Sequence, residues 1–60
     1  MTTRELVKLL EENGWSKVGQ VGSHAKFVKS GAPRPVMVPM HKGDLKTGLL
    51  MAILKQAGLR

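Results

Sequence analysis

Leu6, Val7, Leu9 and Leu10 fall on one stripe of a helix while Lys8, Glu11 and Glu12 face away, so the opening segment predicts an amphipathic helix. Thr2 and Glu5 stand ahead of this stripe at capping-box spacing. Gly14 supplies the left-handed residue that ends the helix, and Trp15 then occupies the position that a Schellman motif packs back onto Leu10. From Trp15 to Met40 the pattern shifts to β-branched residues punctuated by Gly and Pro, which predicts three short strands. They run near Ser16 to Val21, His24 to Lys29, and Pro35 to Met40, with Gly22-Ser23 and Ser30-Gly31-Ala32-Pro33 as turns. Pro35 and Pro39 cannot donate to a ladder, so the third strand is more comfortable at an edge or bounded by them. Asp44 or Thr47 can cap a second helix in which Leu50, Ile53, Leu54 and Ala57 recur at i, i+3, i+4 and i+7. Gly58 closes it, and Leu59 repeats over Leu54 the device used by Trp15.

The order is therefore α-β-β-β-α, an α+β fold. Two amphipathic helices and a three-stranded antiparallel sheet bury their apolar faces most simply as two layers, with both helices on one side. Sixty residues are expected to form one domain, residues 1–60, around a single modest core. With no cysteine, apolar packing must carry the fold unaided. The polar start, Met1-Thr2-Thr3-Arg4-Glu5, lacks the apolar stretch of a signal peptide, and no apolar run approaches bilayer thickness. A soluble cytoplasmic protein with no membrane contact is the expectation.

Charge sharpens this picture. The formal net charge is +6, yet the first twelve residues sum to −1 and the remainder to +7, because Asp44 is the only acid after Glu12. Such a one-sided positive field fits phosphate polymers, though solvated lysines or an acidic protein partner also account for it.

Within the basic part, His24 is the residue that offers chemistry. Histidine is the side chain whose ordinary pKa, about 6.5, lets it take and give a proton near neutral pH. Strand alternation sets Ala25 and Phe27 on one face and His24 and Lys26 on the other, where an imidazole and an ammonium can meet a phosphodiester together. A solvated or hydrogen-bonded structural histidine is the plainer alternative. His41, in Val38-Pro39-Met40-His41, is the candidate assisting group or a mere cap. Two histidines without cysteine, and with the acids mostly on the first helix, make a poor metal set, so neither metal nor cofactor is expected. No P-loop, Ser-His-Asp set or paired carboxylates are present. Met37, Met40 and Met51 read as core filler, and Trp15 as a staple on the first helix. Phe27 is the only other aromatic, so the stacking platform of single-strand RNA readers is missing.

Together, Glu5-Leu6-Val7-Lys8-Leu9-Leu10 with Asn13-Gly14-Trp15, Gly22-Ser23-His24 with Lys26-Phe27, Val38-Pro39-Met40-His41, and Ile53-Leu54-Lys55-Gln56-Ala57-Gly58-Leu59 carry a resemblance that runs nearly end to end. The chain resembles the HicA toxins, small mRNA interferases of HicA–HicB toxin–antitoxin systems. The resemblance implies a double-stranded-RNA-binding-domain-like fold, metal-independent cleavage of messenger RNA that stops translation, and His24 as catalytic histidine. Many members carry a second histidine directly after the first, where this chain has Ala25, and His41 matches a recurrent family histidine. The reaction expected is attack of the ribose 2′-OH on the adjacent phosphate, with His24 as general acid or base. Lys26 would stabilise phosphate charge, Lys29, Lys17 and Lys42 would hold the flanking backbone, and Ser23 would orient substrate. A HicB antitoxin is the implied partner, with operator DNA contacted only through that complex. The main rival is a non-catalytic RNA-binding module using the same lysines; a purely protein-interaction domain is the third reading.

Overall fold

The computed structural model describes residues 1–60. Helix α1 spans Thr3–Glu12 and is opened by the anticipated capping box: Thr2 N–H donates to Glu5 Oε1 at 2.8 Å, and Glu5 N–H donates to Thr2 Oγ1 at 3.2 Å. The helix closes as a Schellman motif. Trp15 N–H reaches Leu10 O at 3.0 Å, Gly14 N–H reaches Glu11 O at 3.1 Å, and Gly14 takes φ +90°. Leu6, Leu10 and Trp15 are thereby turned inward together.

The Thr2 backbone N–H, and after it the Thr2 hydroxyl, hold the Glu5 carboxyl below its ordinary value. A depressed carboxylate binds fewer protons folded than unfolded, so its contribution to stability is present above the unfolded pKa and lost as pH falls through the folded one. Urea midpoints measured from neutral into acid pH should therefore fall less steeply for Glu5→Gln than for the parent chain in that window. Parallel pH profiles would show that the box does not act through this carboxylate.

Strands β1 (Ser16–Val21), β2 (His24–Val28) and β3 (Val36–Pro39) form one antiparallel sheet in the order β1-β2-β3, so β2 is central. Gly22 and Ser23 make a two-residue hairpin turn, with positive φ at Gly22 (+58°) and not at Ser23, the pattern of a type II′ turn whose twist suits the strands. After β2, Ala32 N–H donates to Lys29 O at 3.0 Å with Gly31 at φ +86°, as in a type II turn. That turn takes Lys29 out of β2, and the sequence expectation for both β2 and β3 ran one residue too far at each trimmed end.

Helix α2 spans Thr47–Gln56. Neither residue expected to cap it does so: Thr47 is its first helical residue, the N-cap is Lys46 with no side-chain bond, and Asp44 pairs with Thr2 in an isolated bridge. Its far end does repeat the first helix, with Leu59 N–H on Leu54 O at 2.9 Å and Gly58 N–H on Lys55 O at 3.1 Å.

Register decides the core. Phe27 stands opposite Val36, and Ala25 opposite Val38, so these four share the face on which Leu6, Leu10, Trp15, Leu45, Ile53 and Ala57 close the interior. The two-layer expectation holds. In β1, Lys17 pairs with Phe27 but Gly19 pairs with Lys26, which leaves Val18 as an extra, bulged residue. Beyond the bulge the alternation is inverted, and Val21 shares the outer face with His24. All six residues of this edge strand are exposed.

Candidate nucleic-acid interface

His24 is exposed at the first position of β2, on the face turned away from the core. Its cross-strand partners are Val21 on one side and Pro39 on the other. Lys26 lies two residues along the same face, about 7 Å away between Cα atoms at ordinary strand rise, and is flanked by Gly19 and Met37. Gly19 has no side chain, and nothing lies within 4 Å of where a Cβ would stand, so the strip beside Lys26 is open.

The residue after β3 stays beside the hairpin tip, and the chain then turns toward the N-terminus. Met40 N–H donates to Ser23 O at 2.6 Å, and His41 N–H donates to Pro39 O at 3.1 Å, an i to i+2 bond that makes a γ-turn centred on Met40. The backbone of His41 is thus brought beside Ser23 and His24 from seventeen residues further along the chain. Lys42 follows in the exposed loop, and Leu45 anchors that loop by burying its side chain while its N–H reaches Met1 O at 3.0 Å.

By backbone position Ser23, His24 and His41 lie at one end of the sheet, with Lys26 two residues along β2 and Lys42 in the loop that follows His41. Lys17 and Lys29 do not join them. Lys17 pairs with Phe27, so it faces the helix side, where its Nζ donates to Gln20 Oε1 at 2.9 Å. Lys29 follows the opposite end of β2, its stem beside Gly14 and about 17 Å of strand from His24. Met37 and Met40 also depart from expectation: each is 38% exposed, because the register sets Met37 opposite Lys26 and the γ-turn carries Met40 outward. Val21, 74% exposed, completes an apolar rim that sequence reasoning missed for want of the bulge.

No Asp or Glu occurs between Glu12 and Asp44, and no Lys or Arg side chain comes within ion-pairing distance of a carboxylate; Asp44 itself lies 3.8 Å from the terminal amine. Neither imidazole is held by a hydrogen bond within the chain. Hollows lined by Lys29, Arg34, Lys55 and Arg60 lie elsewhere, and the His24 face is an exposed, open platform. A platform of this kind suits a polymer better than a small molecule, which needs concave enclosure. No helix is long and apolar enough to cross a membrane.

Element order, open sheet and helix placement define a double-stranded-RNA-binding-domain-like α+β fold with a basic, histidine-bearing outer face. Residues 3–59 match the family model described as the HicA toxin of bacterial toxin–antitoxin systems, and the chain belongs to that family. It is a toxin of such a system, and membership implies a HicB-type antitoxin partner. Comparison with curated proteins gave no match.

Proposed function

We propose that this toxin is a metal-independent endoribonuclease that cuts messenger RNA at the His24 platform and so inhibits translation. The observation that carries the reading is an exposed histidine beside a lysine on a face without carboxylates, where a phosphodiester meets only neutral or positive groups. His24 takes the proton from the ribose 2′-OH as the 2′-oxygen bonds to phosphorus. The bond from phosphorus to the 5′-oxygen breaks, and that oxygen takes a proton from the conjugate acid on the other side. His41 is the neighbouring imidazole for this second role, since the site has no acid to serve. Lys26 stabilises the charge on the non-bridging oxygens, Lys42 holds flanking phosphate, and Ser23 orients the ribose. The products are a 2′,3′-cyclic phosphate and a 5′-hydroxyl.

The cut is expected to persist in EDTA, with those ends identified by mass spectrometry of a short RNA. Loss of cutting in EDTA, or ends bearing 5′-phosphate, would reject this chemistry. The absence of any hydrogen bond fixing either ring favours one second reading, a non-catalytic RNA-binding module. It yields retained RNA and no new ends at any protein concentration. Under the enzymatic reading, the antitoxin silences the toxin by covering the platform, an acidic surface on it adding attraction to steric exclusion. Operator DNA is then met through the complex rather than by this chain, in the cytoplasm.

A further inference from the structure

Four cations left outside the His24 cluster have their own arrangement. Arg34 and Lys55 line one hollow between the β2–β3 connection and the last turn of α2. Lys55 also lines a second hollow with Arg60, and Lys29 lines a third that shares Ala32, Pro33 and Gln56 with the first. The row Lys29, Arg34, Lys55, Arg60 is thus continuous, and it contains no acid. The Arg60 guanidinium lies against the Met51 sulfur. Cations near a helix C-terminus are favoured by the helix dipole. That accounts for Lys55 and Arg60 but not for Lys29 and Arg34, which arrive from the β2–β3 connection. Like charges facing one another across a hollow repel until a multivalent anion enters it.

We infer that this row is a second phosphate-binding surface, which holds the RNA several nucleotides away from the scissile junction. The inference rests on the nuclease reading for its purpose but not for its test. A chain carrying one charge per nucleotide matches a row that recurs along three adjoining hollows, with the guanidinium forks of Arg34 and Arg60 suited to phosphate oxygens. Arg34 precedes Pro39, the cross-strand partner of His24, by five residues, or about 17 Å when extended. At about 3.4 Å per stacked nucleotide this is about five nucleotides. RNAs shorter than this reach the His24 platform alone, and longer ones reach both surfaces.

The test uses His24→Ala chain, so that RNA is bound and not consumed, with and without Arg34→Ala, Lys55→Ala and Arg60→Ala together. Affinity for a 4-nucleotide and a 20-nucleotide single-stranded RNA is read by fluorescence anisotropy across a salt series. Each phosphate contact contributes about 0.7 to the log–log salt slope for single strands, so loss of three flattens the 20-nucleotide slope by about 2 and leaves the 4-nucleotide slope unchanged. Circular dichroism melts establish that the exposed substitutions leave the fold intact, and the charge-keeping Arg34→Lys, Lys55→Arg pair should retain the slope. An unchanged 20-nucleotide slope overturns the inference. So does an unchanged slope joined to weakened antitoxin binding, which assigns the row to the protein partner. Failure of the parent chain to cut RNA would instead sink the nuclease reading and leave these slopes to be judged by themselves.

Discussion

Replacing His24 with alanine is expected to lower the rate of RNA cleavage by about 10² to 10⁴, the usual contribution of one general acid or base. The side chain is exposed and makes no hydrogen bond, so its removal neither opens a cavity nor strands a polar partner. Its backbone role as the first residue of β2, opposite Val21 and Pro39, is kept by alanine. Unfolding midpoint and RNA affinity should therefore stay near those of the parent, because charge contributed by Lys26 and Lys42 is untouched. Single-turnover cleavage of a labelled RNA, with a nuclease-free preparation, separates chemistry from binding. Equal rates for both chains would remove His24 from the reaction, and with it the enzymatic reading of the platform. A variant that also loses binding or unfolds would point to a structural histidine instead.

Phe27→Ala is expected to have the largest effect on stability. Phe27 is fully buried in the central strand, between Lys17 and Val36, where the helices close over the sheet. Truncating a buried phenylalanine typically costs about 3–5 kcal/mol. A 60-residue domain at about 0.05–0.15 kcal/mol per residue has about 3–9 kcal/mol in total. The variant should consequently lose most or all of its cooperative urea transition at room temperature, with cleavage falling in proportion to the unfolded fraction. A midpoint shift equivalent to less than about 1 kcal/mol would mean that the core has collapsed around the site, and that Phe27 does not organise it.

The two predictions draw on parts of the molecule that were unequally legible in the sequence. Helix ends were readable because their bonds are local: Thr2 with Glu5, Gly14 with Trp15, and Gly58 with Leu59 each act within a few residues. Strand order and the inward turn of Ala25 and Phe27 followed from alternation and short turns. What escaped reading was set by contacts between distant segments. Asp44 has the chemistry of a cap, yet the opening residues take it into a bridge with Thr2. Val18 looks like any β-branched strand residue, and only pairing with β2 makes it supernumerary. Met37 and Met40 read as core filler because composition says nothing about which side of the sheet register will assign them. In the candidate site, His24 with Lys26 was visible as strand spacing. The approach of His41 depends on the Met40 to Ser23 bond, and the separation of Lys17 and Lys29 from the group depends on the sheet as assembled.

The bulge at Val18 has a consequence for how the platform can vary. The two-residue turn at Gly22-Ser23 fixes Val21 opposite His24, and the surplus residue sets only the phase of the far part of the strand, where Lys17 meets Phe27. Deleting Val18 would join the two registers into one regular ladder, with Lys17 still opposite Phe27 and Val21 still beside the imidazole. A lineage carrying this fold could thus gain or shed a residue at this point of the edge strand while what its histidine meets stays the same.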